Sequence, residues 1–385
     1  MNSQVEIIGI ECEYPEFKYS TTELFDILGN TLSDKVKENI LQLGVRQRYF
    51  IKPIENYLSI DNPKHNTQDF KEPISDLSAS VAKNCITNVG LKLDDISCLI
   101  AASENSDYLS PGLSSILVRK IGLSNFIPHF NLQGMACSTF PKLLELGKML
   151  VHNDNDNVLV VISGCNSGWY LPHLREKVMI KNPKEIGETY DRQTQIKKWV
   201  STMFSFLFGD GVSALILSKS SSKKNGIKIG KITHGVNFDK FDFRKACVRL
   251  NPRSPSHLYE YELTAEPNVI ELASEYSKKV LMKSLGKDIN NFDQQSAQSY
   301  MSQKDKVMIH TGSLKILDKF KDVYALRNEQ IGESYETLRQ YGNLTGVSLP
   351  TILKNAFTKD DKIRKGLLVG ITMGFGLDLV EVERS

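Results

Sequence analysis

No run of apolar residues in this chain approaches the roughly 20 that a helix needs to cross a bilayer, so no membrane span is expected. The stretch MNSQVEIIGIECEYP offers no signal-peptide core, because acidic residues enter by Glu6 and its short apolar run suits a first strand. Cysteines number six, widely spaced and without a CxxC pair, which speaks against a zinc ribbon or a disulfide scaffold and for reduced thiols. A long basic block is also missing: 48 basic residues against 45 acidic ones leave a net charge of +3, and nucleic acid is not an expected partner. Together these absences predict a cytoplasmic enzyme or binding protein.

What is present is an ordinary folded composition, 41% hydrophobic and 24% charged. With 385 residues the chain exceeds a single core, so two domains or two halves sharing one core are expected. Short apolar, β-branched runs at 5–10, 96–103, 157–164 and 212–218 predict buried strands, separated by helical patterns. The polar, glycine-ended SKSSSKKNG at 218–226 marks a boundary, dividing an N-terminal half, 1–220, from a C-terminal half, 227–385. Beyond it the alternation resumes at 227–236, 268–286, 305–312 and 366–376, which makes an α/β fold. The polar stretch 288–305 predicts a surface loop, and the apolar residues Met203, Phe204, Phe206 and Phe208 predict an alternating approach to the strand at 212.

Chemistry enters with NLQGMACSTF at 131–140, where Cys137 follows a strand pattern and precedes the helical run PKLLELGKMLV. A thiol at a helix start faces unpaired N–H groups and the positive end of the macrodipole, both favouring thiolate. The alternative is a buried structural thiol, the ordinary condition of a free cysteine. Three further segments bear on that choice: LFGDG at 207–211, VMIHTGSLKILDKF with His310, and RQYGNLTGVSLPTIL with Asn343. Taken alone, His310 reads as a core or surface histidine and Asn343 as a turn former. His129 reads as structural, Asp210 as a turn former, and Cys165 as a second thiol at the end of a buried strand.

In that order the motifs resemble the thiolase superfamily, and within it the β-ketoacyl-ACP synthase III and chalcone-synthase-like type III polyketide synthases. ACS matches the nucleophile motif, LFGDG the structural turn, YGN with TGVSLP the asparagine motif, and GFGL at 374–377 the glycine loop. The likeness extends to SENSDYLSP at 103–111 and LGVRQRYF at 43–50. Thr139 stands where the family has glycine, and His310 lies 173 positions after Cys137, with extra residues around 169–200 and 250–305.

The resemblance implies a thiolase-like fold of two pseudo-symmetric αβαβα halves in a five-layered αβαβα arrangement. It implies an acyltransferase with Cys137, His310 and Asn343 as catalytic residues and the backbone N–H groups of Cys137 and Gly376 as oxyanion hole. An acyl group from acyl-CoA or acyl carrier protein would load onto Cys137, then condense with a malonyl-type thioester in a decarboxylative Claisen reaction of fatty-acid or polyketide-like biosynthesis. No tightly bound cofactor or metal is implied; CoA or phosphopantetheine thioesters are substrates. Arg46 and Arg48 are candidates for substrate phosphate and Thr139, Phe204 and Phe206 for acyl contacts, each against a plain surface or core role. The resemblance also implies a homodimer, with the strand ahead of the nucleophile, around 126–134, near the subunit boundary. Open alternatives are acyl transfer to an oxygen, nitrogen or non-malonyl carbon acceptor, and a noncatalytic partner subunit in a mixed dimer.

Overall fold

The structure is a computed structural model that describes residues 4–58, 71–152, 156–175, 179–185, 192–219, 226–240, 244, 246–250, 261–265, 268–372, 374 and 376–385. In the first part of the chain lie β1 (Val5–Glu13), β2 (Phe17–Ser20), α1 (Thr21–Leu28), α2 (Asp34–Leu41), β3 (Gln47–Phe50), α3 (Glu55–Leu58), α4 (Pro73–Asn88), β4 (Cys98–Ser103) and α5 (Leu113–Ile121). Next come β5 (His129–Leu132), α6 (Thr139–His152), β6 (Asn157–Ser163), α7 (Ser167–Tyr170), α8 (Arg192–Leu207) and β7 (Val212–Lys219). The remainder holds β8 (Ile227–Val236), β9 (Ala246–Leu250), β10 (Tyr261–Ala265), α9 (Val269–Ser284), α10 (Gln294–Ser302), β11 (Lys306–Ile309), α11 (Leu314–Tyr324), α12 (Asn328–Tyr341), α13 (Ser348–Lys359), β12 (Lys365–Thr372) and β13 (Gly376–Arg384).

Among the described residues nine strands form one sheet in the order β11-β12-β13-β8-β1-β7-β6-β4-β5. Its two arms have the same pairing. β4 runs parallel to β6, which is antiparallel to β7, itself antiparallel to β1; β11 runs parallel to β12, which is antiparallel to β13, itself antiparallel to β8. Among the described residues the ladder that joins the arms pairs Glu6 with Lys228 and Ile7 with Ile227. β9 pairs with β10 and β2 with β3 outside this sheet.

Alternation along the strands builds five layers. One face of the first arm, including Leu99, Val161 and Ala214, packs on α4 and α5. Its other face, Ile100, Val160 and Leu215, shares a core with Met308, Leu368 and Val380 of the second arm, and between them lie Phe140 and Leu144 of α6 and Ile352 and Leu353 of α13. The far face of the second arm, Ile309, Val369 and Leu379, packs on α9, α11 and α12. Two faces covered by helices explain why these strands read as continuous apolar runs. The expected boundary falls between β7 and β8, and residues 220–225 of it lie outside the described residues.

Two local expectations are corrected. The stretch 288–305 contains helix α10, because Asp293 caps it by accepting from Ser296 N–H at 2.9 Å, and Ala297 and Met301, one turn apart, are buried. Residues 203–207 are the end of helix α8, so Phe204 and Phe208 face one way while Phe206 faces another.

Candidate active site

Cys137 lies in a 3-10 turn, Ala136–Ser138, that runs directly into α6. Ala136 before it is held at φ 44°, a left-handed conformation that a non-glycine residue adopts only under constraint. The constraint is Glu104, just past the end of β4: its carboxylate accepts from Ala136 N–H at 2.7 Å and from Gly134 N–H at 3.1 Å.

The Asn343 turn in the other half repeats this construction. There Thr345, at φ 50°, begins the 3-10 turn Thr345–Val347 that runs into α13, and Asn343 Oδ1 accepts from Thr345 N–H at 2.9 Å. With its oxygen so engaged, the NH2 end of Asn343 is left for the Cys137 sulfur, whose anionic form it favours. The two turns touch where Gly346 comes against Thr139: a Cβ on Gly346 would sit 2.9 Å from Thr139 Cβ. Thr139 is buried in that contact, its hydroxyl donating to Ala136 O, so its bulk joins the two turns.

His310 follows β11 directly, and its N–H donates to Val369 O of β12 at 2.9 Å. Its ring is buried, and neither ring nitrogen has a hydrogen-bond partner among the described residues. β12 ends at Thr372, whose hydroxyl donates to Met135 O at 3.1 Å, bringing this strand end against the nucleophile turn. Gly376 lies opposite Thr372 across the hairpin, and a Cβ on it would stand 2.8 Å from Thr372 Cγ2. Phe375 of the glycine motif lies outside the described residues.

Burial decides the resting protonation states. It pushes the Cys137 thiol up to about 12, with the Glu104 charge adding to the rise and the Asn343 hydrogen bond opposing it. The helix start was expected to favour thiolate; desolvation of the anion outweighs that preference. Burial also pushes His310 down to about 3, so its imidazole is neutral near pH 7.

The remaining candidates separate. Phe204 and Phe208 stack on Tyr170, whose hydroxyl feels the charge of a Cys137 thiolate, whereas Phe206 is buried against Phe25 and the Arg48 guanidinium. Arg48 is buried and donates to Thr21 Oγ1 at 2.8 Å, while Arg46 is exposed on the rim of a cleft of about 460 Å³ with Thr21, Leu314, Tyr335 and Arg339. Asp210 does more than make a turn: its buried carboxylate accepts from Ile51 N–H at 2.8 Å and from the N–H groups of Asn166 at 2.7 Å and Ser167 at 2.9 Å. Cys165 is buried and its thiol raised by desolvation, and His129 hydrogen-bonds Ser114 at 3.1 Å. The described residues contain no group of three His, Cys, Asp or Glu able to hold a metal, and none of their helices is long and apolar enough to cross a membrane.

No protein-family profile matches the chain. Among solved structures, CsyB superposes with a TM-score of 0.76 at 18% identity, covering 99% of this chain and 100% of that one. The 1,3,6,8-tetrahydroxynaphthalene synthase of Streptomyces coelicolor, a bacterial type III polyketide synthase, does so with a TM-score of 0.76 at 16% identity, covering 99% of each. The fold is that of the type III polyketide synthases.

Sequence relatives of this type III polyketide synthase fold are condensing enzymes. A 3,5-dihydroxyphenylacetyl-CoA synthase of Amycolatopsis orientalis is 23% identical over 96% of this chain and 90% of its own length. Phloroglucinol synthase of Pseudomonas fluorescens is 22% identical over 94% and 93%. A β-ketoacyl-ACP synthase III of Sulfurovum is 24% identical over 80% and 79%, so the likeness reaches both branches. Two residues placed beside the nucleophile were given no role in the sequence: Glu104, visible only as the first polar residue after the β4 run, and Tyr170, inside a segment whose pattern marks no contact.

Proposed function

We propose that the chain is a condensing enzyme in which Cys137 accepts an acyl group from a CoA or carrier-protein thioester and passes it to the enolate of a decarboxylated malonyl-type thioester. The observation that carries this reading is a buried imidazole, His310, with both nitrogens unpartnered among the described residues, together with an Asn343 amide that favours the Cys137 thiolate. A satisfied structural histidine would have a partner. A polar pair kept dry and open is suited to a charge that develops only during reaction.

Since the thiol is protonated at rest, attack requires the Cys137 proton to pass to His310 as sulfur closes on the thioester carbonyl. The tetrahedral oxyanion is met by the N–H groups of Cys137 and Gly376; collapse expels the carrier thiol, which regains a proton from His310. In the second half-reaction the neutral His310 and the Asn343 NH2 donate to the thioester oxygen of the malonyl-type unit, stabilising the enolate formed as carbon dioxide leaves. The enolate carbon then attacks the acyl carbonyl, and Cys137 leaves as thiolate.

Arg46 and Arg339 on the cleft rim suit a carrier phosphate, and Arg46 N–H donates to Arg339 O at 2.9 Å, fixing the spacing of the two backbones. Leu314, on the same cleft, starts α11 four residues after His310, which suits a path from rim to sulfur. Phe204 and Phe208 with Tyr170 suit acyl contact better than Phe206. The outer edge of β5 suits a second copy of the chain.

The test is intact-mass measurement after incubation with a panel of acyl-CoA and acyl-carrier thioesters, followed by malonyl thioester with trapping of carbon dioxide. An acyl adduct on the native chain that is absent from Cys137→Ala is the expected result. An adduct retained by that variant would place the nucleophile elsewhere.

A further inference from the structure

The polar side of α6 carries a cluster outside the reacting centre. Lys142 Nζ stands 3.0 Å from Asp378 Oδ1, His234 Nδ1 stands 2.6 Å from the same oxygen, and His234 Nε2 contacts Glu145 Oε2. Lys142 and Glu145 belong to α6, His234 to β8 and Asp378 to β13, so the cluster ties the helix that begins beside Cys137 to the opposite arm of the sheet. Lys148, one turn further along α6, continues the tie by donating to the carbonyls of Ile229 at 3.4 Å and Gly230 at 3.0 Å.

The position of Asp378 gives the cluster a bearing on catalysis. It lies two residues after Gly376 on the same strand and directly opposite Gly370 and His234 in the ladders on either side. A Cβ on Gly370 would stand 3.4 Å from Ser138 Oγ, 3.1 Å from Pro141 and 3.7 Å from Asp378 Cβ, so Asp378 is packed under the first turn of α6. The same carboxylate is thereby joined to both segments whose N–H groups form the proposed oxyanion hole.

Histidine chemistry makes the tie depend on a proton. A neutral imidazole has one N–H and one lone pair, and the lone pair would face a carboxylate; only the imidazolium donates at both nitrogens. We propose that His234, protonated between Asp378 and Glu145, is a positioning residue that clamps the nucleophile helix to the glycine hairpin and sets the geometry of the oxyanion hole. The inference rests on the proposed role of Cys137 as nucleophile. The charged groups facing His234 are Asp378 from β13 and Glu145 and Lys142 from α6; the Asp378 hydrogen bond chiefly raises its pKa above the ordinary value, against desolvation and Lys142, with Glu145 adding to the rise. A raised histidine pKa means the clamp is fully present below the ordinary histidine value and is lost as pH climbs through the higher folded value.

The test compares two reactions of Cys137 in the full chain between pH 6 and 9.5. Acylation by 4-nitrophenyl acetate, read by intact mass, passes through an oxyanion; alkylation by iodoacetamide does not, so their ratio reports the oxyanion hole and cancels the thiol's own titration. The expected ratio for the native chain falls about tenfold across this range, the change made by about 1.4 kcal/mol of lost oxyanion stabilisation. His234→Gln should show the low alkaline ratio at every pH, and Glu145→Gln, which lets a neutral imidazole donate to Asp378 and accept from the new amide, should remove the fall. A His234→Gln ratio that follows the native curve overturns the clamp, as does a Glu145→Gln curve unmoved from native. Absence of any acyl adduct on Cys137, from this ester or from thioesters, overturns the nucleophile reading itself, a separate outcome.

Discussion

At Cys137 two environmental effects compete, and their magnitudes decide the resting state. A helix start stabilises a nearby anion by about 0.3–1 kcal/mol at an ordinary surface site. Complete burial of a thiolate works against this by more, and the thiol is pushed up to about 12. Alkylation of Cys137 by iodoacetamide should therefore rise about tenfold per pH unit from pH 7 to 9.5 without levelling. A plateau reached below pH 7 would show instead a preformed thiolate paired with His310⁺. Glu104 contributes to the rise while it holds Ala136 in its left-handed conformation. Glu104→Gln should accordingly speed alkylation at pH 8 by roughly threefold to tenfold, and slow acylation, since an amide presents one acceptor oxygen to two backbone N–H groups. Equal slowing of both reactions would assign Glu104 to holding the turn alone.

Among the elements, the two 3-10 turns ahead of α6 and α13 are the units that matter. Each has a left-handed residue held by a side-chain oxygen, and the fold's internal symmetry sets them face to face in the central layer. Their contact depends on the absence of a side chain at 346. Gly346→Ala should destabilise the fold by about 1–3 kcal/mol through overpacking, seen as a lower urea midpoint, and should slow acylation by moving Asn343 from the sulfur. Adding Thr139→Gly should recover part of both losses, because residues in contact do not behave additively. Identical midpoints for the single and double variants would mean that Ile162, 3.0 Å from the same point, is the obstacle. Elements also explain where the sequence pattern misleads. LFGDG straddles a boundary: Leu207 ends α8, Phe208 bridges to Asn343, and Asp210 gathers three backbone N–H groups from two other segments.

Seen whole, the sheet ends at β5 with no further strand among the described residues. β5 is the last strand of its arm, its residues His129, Phe130 and Asn131 are exposed, and Phe126 beside it is 95% exposed. Unpaired edges with apolar neighbours invite another chain. Sedimentation should show a dimer, and Phe126→Glu with Phe130→Glu should shift it towards monomer while intrinsic fluorescence and far-UV spectra stay native. A strict monomer before mutation would remove the dimer from the reading and leave Met135, 38% exposed beside the nucleophile turn, facing solvent.

Strand-by-strand, the α/β alternation was legible because buried strands and amphipathic helices obey local periods, and the two-half plan followed from the repeat of that alternation after 227. Cys137, His310 and Asn343 were legible as candidates through short motifs in order. Their mutual placement was not, since contact across the central layer joins residues more than 170 positions apart and no local period records it. Tertiary structure alone decided that burial outweighs the helix dipole at Cys137, that Phe206 faces Arg48 while Phe204 faces Tyr170, and that Glu104 and His234 stand on turns and strands bearing on the nucleophile. The amino-acid order by itself determined the elements and the reactive groups available; desolvation, side-chain facing and ion pairing depend on neighbours brought in from elsewhere in the chain, and so belong to the folded state.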